Sequence, residues 1–151
     1  MRMKAMNVFF ILLLAIDLTI PAMSYAMALI TPEEAALPPM KGAVANSKRG
    51  IMRGPKIMVP ENADDVMSSP IRLQVKFQGM GGSTIDLEGL KVTYLKQPNV
   101  DLTPRVRPFV QQTGIDIPDA LVPSGEHLLR IDVRDSEGRT STMSFLLKIA
   151  P

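Results

Sequence analysis

The sequence predicts an all-β fold, an antiparallel two-sheet β-sandwich over residues 55–151. Four segments alternate apolar and polar residues with a period of two, which is typical of half-buried strands. Prolines and glycines divide the rest of this region into short stretches, as in sandwiches with frequent turns. No segment after residue 55 keeps the spacing of an amphipathic helix. The chain has 151 residues, a length that allows one domain and little more.

The first 26 residues have the pattern of a secretory signal peptide. Two basic residues precede an unbroken apolar run at 8–16, and Ser24 and Ala26 place small residues where a signal peptidase reads them. An uncleaved anchor is the alternative, but it needs about 20 apolar residues, and Asp17 ends this run. Ala26 and Ala28 repeat the small-residue spacing, so cleavage after either alanine stays open. We expect a periplasmic or secreted protein without stable membrane insertion after cleavage.

Residues 27–54 are predicted to form a mostly disordered tether. Thr31 followed by Pro32 resembles the start of a helix, with a hydroxyl cap and proline in the first turn. Pro38 and Pro39 end this pattern after about one and a half turns, which is too short to be stable alone. A glycine-punctuated basic stretch follows. The tether is therefore expected to contain at most one short helix near its start.

The alternating segments define four strands, within 71–77, 90–94, 127–133 and 143–149. Alternate side chains of a strand point to opposite faces of its sheet, so one set from each segment faces the core. The predicted core consists of Leu73, Val75, Phe77, Val92, Tyr94, Leu129, Ile131, Val133, Phe145 and Leu147.

The last two strands flank a predicted hairpin turn. Asp135 and Gly138 stand at the first and last positions of a four-residue stretch that fits a type I turn closed by a left-handed glycine. Between residues 98 and 123, prolines recur every four to ten positions. Because proline lacks a backbone donor, strands there are expected to be short and to lie at edges or corners.

The stretch from Pro123 to Ser141 resembles the penultimate strand and last hairpin of bacterial immunoglobulin-like domains. A Pro-x-Gly turn leads into an alternating strand, then an Asp-x-x-Gly turn and a final strand. His127 stands where many relatives carry Tyr, and the chain has no Trp. The whole chain also resembles short exported bacterial proteins with one such domain and no assigned role. The resemblance implies an immunoglobulin-like sandwich, a fold that hosts many unrelated functions.

Composition excludes several classes of protein. The chain has no Cys, which rules out disulfides, thiolate zinc sites, a Cys nucleophile and a lipoprotein anchor. Residues 55–151 carry 11 basic and 12 acidic residues, so the body lacks the positive charge that a nucleic-acid partner requires. We expect no cofactor and no nucleic-acid partner.

Candidate catalytic and metal-binding residues are few. His127 is the only imidazole, and its alternating position points it inward, which favours a hydrogen-bonded structural histidine over a Ser-His-Asp arrangement. Calcium needs six to eight oxygen ligands. The acids at 64–65, and Asp116 with Asp119, lack a spacing that directs several oxygens at one point. We therefore predict no catalytic residue and no metal site.

The most distinctive surface candidate is the segment 101–110, in which prolines accompany Arg105, Arg107 and Phe109. Arginine and aromatic residues are enriched at binding hot spots, and prolines lower the entropy cost of presenting them. The alternative interpretation is an ordinary crossover between the two sheets. The sequence favours an exported noncatalytic module that binds a protein or envelope component, with the basic tether as a weaker contact. The alternative is a small periplasmic hydrolase that uses carboxylates.

Overall fold

The computed structural model describes residues 26–43, 53–59 and 65–151. The predicted signal peptide therefore lies outside the described residues, except for Ala26. Within these ranges, strands supply most of the secondary structure, with two short α-helices and one 3-10 helix at Arg107–Phe109. The other elements are β1 Met27–Ala28, α1 Pro32–Ala35, β2 Lys56–Met58, β3 Val66–Met67, β4 Ile71–Gln78, β5 Ile85–Tyr94, β6 Val100–Asp101, α2 Thr103–Val106, β7 Val110–Gln111, β8 Gly114–Leu121, β9 Gly125–Asp135 and β10 Thr140–Ile149.

The strands form two sheets. The first has the order β1-β8-β4-β2, with β7 also paired to β8, and the second has the order β3-β10-β9-β5-β6. All pairs are antiparallel except β1 with β8 and β3 with β10. The predicted all-β, two-sheet architecture is confirmed.

The core lies between the sheets and contains every residue that alternation assigned to it. All ten predicted core side chains are at most 6% exposed. Leu128 is only half-buried, whereas Leu129 beside it is fully buried. The register of β9 predicted from the sequence is therefore correct.

The hairpin between β9 and β10 forms at the predicted turn. Arg134 pairs with Thr140, and the amide of Gly138 donates to the carbonyl of Asp135 at 2.9 Å. Gly138 has a φ of 79°, the left-handed conformation that glycine adopts most readily.

The proline-rich region contains one strand that is longer than expected. β8 has eight residues and includes Pro118. Its pairing with β4 shifts between Ile117 opposite Leu73 and Ala120 opposite Ile71, so two residues of β8 lie opposite one residue of β4. Pro118 lies in this bulge, where its missing donor breaks no regular ladder bond.

The first part of the predicted disordered tether, residues 27–43, contains secondary structure and buried residues. We call residues 26–43 the N-terminal strap. β1 pairs with β8, and Leu29 and Ile30 that follow are 0% and 2% exposed. The predicted short helix is present as α1, with Thr31 and Glu34 forming a capping box. Tertiary contacts hold the strap through two buried residues and one helical turn. Because so few positions are involved, the strap shows no periodic pattern in the sequence. Residues 44–52 of the predicted tether lie outside the described residues.

Candidate functional site

The segment predicted to bind a partner connects the two sheets. Residues 102–112, which we call the crossover segment, run from β6 in the second sheet through α2 and the 3-10 helix to β7 in the first. Pro104 and Pro108 stand in the first turns of the two short helices, where a missing backbone donor costs nothing. The segment is thus a structural crossover, and partner binding through it stays a prediction.

Arg105 is bound within the molecule. Its guanidinium donates to the two carboxylate oxygens of Glu34 at 2.7 and 2.6 Å, and to the carbonyl oxygen of Leu29 at 2.9 Å. The hydrogen bond from Arg105 lowers the pKa of Glu34. Arg105, whose side chain is 32% exposed, thus joins the crossover segment to the N-terminal strap. Its contact with a partner stays a prediction.

Arg107 is the most exposed of the three predicted anchors. Its side chain is 43% exposed, donates to the carbonyl of Leu87 at 3.0 Å and lies 3.6 Å from the Glu88 carboxylate. Phe109 is half-buried, with part of its ring packed against the core. All three predicted anchors therefore present some side-chain surface to solvent, and Arg107 presents the most.

The crossover segment also covers the outer edge of β5. The Gln112 amide accepts from the backbone N–H of Ile85 at 2.9 Å and donates to its carbonyl at 3.0 Å, as a neighbouring strand would. Thr103 Oγ1 accepts from the amide of Val92 at 3.0 Å. These side chains satisfy backbone groups of β5 that no neighbouring strand pairs with. Covering the edge in this way limits edge-to-edge association with other molecules. Neither Thr103 nor Gln112 lies in a recognisable motif, so these contacts could not be predicted from the sequence.

His127 is buried and fully hydrogen-bonded, which confirms the predicted structural histidine. Its Nε2 lies 2.8 Å from the carbonyl of Pro123, and its Nδ1 lies 2.8 Å from the hydroxyl of Tyr94. Because a carbonyl can only accept, Nε2 carries the proton and Nδ1 accepts from Tyr94. Burial lowers the pKa of His127 and raises the pKa of Tyr94 to about 12. Both ring nitrogens are therefore occupied by structural contacts.

Several carboxylates on the sheet faces pair with arginines. Arg72 donates to Asp116 at 3.0 and 2.7 Å, and Arg134 donates to Asp86 at 2.7 Å. These hydrogen bonds lower the pKa of Asp116 and of Asp86. Among the described residues, no three His, Asp or Glu side chains gather where they could hold a metal ion.

Asp135 forms the most extensive polar cluster in the described part of the chain. It accepts from the amides of Glu137 and Arg139, from the Arg139 side chain and from the Ser83 hydroxyl. Burial raises its pKa, but the hydrogen bonds from Arg139 and its other donors outweigh burial and hold the pKa below the ordinary value. The sequence predicted Asp135 as a turn residue only. In the structure it also joins the hairpin to the loop after β4.

Two surface cavities bear on the carboxylate-enzyme alternative. One of about 200 Å³ lies on the first sheet, and Asp116 is the only acid in its lining. Another of about 320 Å³ lies between the strap and the end of β8, with apolar lining from Ile30, Leu121 and Val122. Neither brings two acids face to face, which a two-carboxylate mechanism requires.

Comparisons of this chain with family models, with curated proteins and with solved structures give no match. Within the described residues, no helix has both the length and the apolar character needed to cross a bilayer.

Proposed function

We propose that the chain is an exported immunoglobulin-like module that binds a protein or cell-envelope component without catalysis. Strand order supports the fold type. β2-β4-β8-β7 in one sheet and β10-β9-β5 in the other follow the A-B-E-D and G-F-C orders of a seven-stranded immunoglobulin-like domain. The additional pairs involve β1, β3 and β6, which are short strands at the edges of the sheets.

The environment of His127 gives independent support for the fold type. Immunoglobulin-like domains carry a tyrosine near the start of strand F, whose hydroxyl bonds to the backbone a few residues upstream. β9 holds the strand F position, and near its start His127 donates to the carbonyl of Pro123, four residues upstream. An imidazole N–H thus takes the place of the tyrosine hydroxyl, and Tyr94 supports the ring from β5.

The crossover segment carries the binding proposal. Contacts from Thr103 and Gln112 hold it against β5, and it presents the half-exposed Arg107 two positions before the half-buried Phe109. A preorganised arginine and aromatic pair binds with little loss of conformational entropy. We infer that Arg107 and Phe109 contact the partner and that Arg105 supports the segment by joining it to the N-terminal strap.

Three of the described acids have pKa values that do not suit general-acid catalysis, which supports a noncatalytic role for them. A carboxylate hydrolase needs one carboxylic acid whose pKa is raised so that it donates a proton near neutral pH. The pKa values of Asp86, Asp116 and Asp135 are all shifted in the opposite direction.

Crosslinking in cells tests the binding proposal. The exported chain carries a C-terminal tag, and the crosslinked species are quantified for wild type, Arg107→Glu and the control Arg72→Glu. Arg72 is also an exposed, ion-paired arginine, but it lies on β4 of the first sheet, outside the crossover segment. We expect Arg107→Glu to lower recovery of the principal crosslinked species about tenfold, with Arg72→Glu close to wild type. Equal recovery from both variants would contradict the proposed surface, and no crosslinked species from wild type would contradict binding.

A further inference from the structure

We propose that the leader is removed after Ala26, so that Met27 is the first residue of the mature protein. This inference rests on the proposed export. Ser24 with Ala26, and Ala26 with Ala28, both offer the small-x-small pattern that a signal peptidase reads. The sequence therefore does not distinguish the two bonds, whereas the structure gives them very different surroundings.

The residues between the two bonds belong to the first sheet. Met27 is paired with Ala120, and Ala28 with Leu121, in parallel register on the edge of β8. A cut after Ala28 removes both residues and with them the whole of β1. A cut after Ala26 leaves this pairing complete.

The charge created by cleavage also distinguishes the two bonds. Each cut produces an α-amino group with an ordinary pKa near 8, which is mostly protonated at neutral pH. A cut after Ala28 places that charge on Leu29, which is 0% exposed and whose amide donates to the Leu121 carbonyl at 3.0 Å. A cut after Ala26 places it on half-buried Met27, at the exposed end of β1. Forming a charge at a buried residue is the costlier outcome.

Folding also protects the second bond. A protease needs an accessible segment, and cleavage concentrates at exposed, loosely held chain. The Ala28–Leu29 bond joins a paired strand residue to a fully buried one. Once the strap has docked after the first cut, a second cut after Ala28 is therefore blocked.

Intact mass spectrometry of the exported protein tests the inference. We expect the mass of residues 27–151. The mass of residues 29–151 in exported protein would overturn this inference and leave export standing. The full-length mass, retained in the membrane fraction, would overturn both.

Two matched variants sharpen the test, because each alters the small-residue pattern of one bond only. Ala28→Val changes the second pattern at an exposed strand position where valine is well tolerated. Ser24→Leu changes only the first pattern. We expect normal processing to Met27 in Ala28→Val and at least about a tenfold loss of the Met27 product in Ser24→Leu. Blocked processing in Ala28→Val together with normal processing in Ser24→Leu would overturn the proposal.

Discussion

The hairpin of β9 and β10 and the N-terminal strap represent two ways in which this chain acquires structure. The hairpin pairs ten consecutive residues of β10 with β9 around a turn whose residues favour it. The strap has a two-residue strand and a four-residue helix, neither of which is stable alone. Local pattern specifies the hairpin, whereas a few long-range contacts specify the strap. Substitutions in the two regions should therefore act through different physical causes.

The largest effect is expected in the hairpin. Ile131 on β9 is 1% exposed, so Ile131→Ala leaves a cavity in the core and should cost about 2–5 kcal/mol of unfolding free energy. Leu128→Ala on the same strand should cost much less, since Leu128 is only half-buried. Urea unfolding of both variants measures the difference. Equal losses would show that the register of β9 is shifted by one residue.

A substitution in the strap tests whether it belongs to the folded domain. Leu29 is fully buried, so Leu29→Ala should cost about 2–3 kcal/mol, at the low end of the range for such changes because a terminal segment can relax into the cavity. Glu33→Ala, at an exposed position of α1, is the control and should change urea unfolding little. A Leu29→Ala variant as stable as this control would mean that the strap is detached in solution.

These two regions also show what the sequence could and could not predict. Alternation identified β4, β9, β10 and the second half of β5, because their inward side chains repeat every second residue. It could not identify the docking of Leu29, because two apolar residues in succession have no period. The proposed site likewise has residues that the sequence pointed to and a contact that it could not predict. Composition drew attention to Arg107 and Phe109, but the partner of Arg105 is Glu34, 71 positions away in the chain.

The ion pair between Glu34 and Arg105 should contribute less than either buried side chain. Glu34→Gln removes the charge but keeps the shape, and should cost about 1 kcal/mol for a bidentate pair that is partly exposed. The pKa of Glu34 is lowered in the folded protein, so its contribution is complete above the ordinary value of 4.5 and is lost as pH falls below it. Urea unfolding at pH 7 and pH 3.5 should show the variant approaching wild type at the lower pH. A constant difference would indicate that the carboxylate charge contributes nothing.

The smallest expected effect is the pH dependence that His127 confers on stability. Burial lowers its pKa in the folded state below the ordinary 6.5, so the unfolded chain binds the proton more readily. Stability should therefore be constant well above pH 6.5 and should fall as pH drops toward 5. A protonated Nδ1 also loses its ability to accept from Tyr94. His127→Tyr removes the only imidazole of the chain. Under the proposed immunoglobulin-like fold it also installs the tyrosine that such domains carry at this corner.

Urea unfolding at pH 7.5, 6.5 and 5.5 measures the slope of the unfolding free energy against pH. These pH values lie above the range in which the carboxylates with lowered pKa values titrate. The imidazole itself can contribute at most the slope of one proton. The slope should be smaller in His127→Tyr, whatever the absolute stability of the variant, since comparison within each protein cancels any packing cost of the larger ring and the α-amino group is common to both proteins. The same slope in both proteins would mean that His127 titrates alike in the folded and unfolded states. Burial and the hydrogen bond from Tyr94 would then not hold the imidazole neutral.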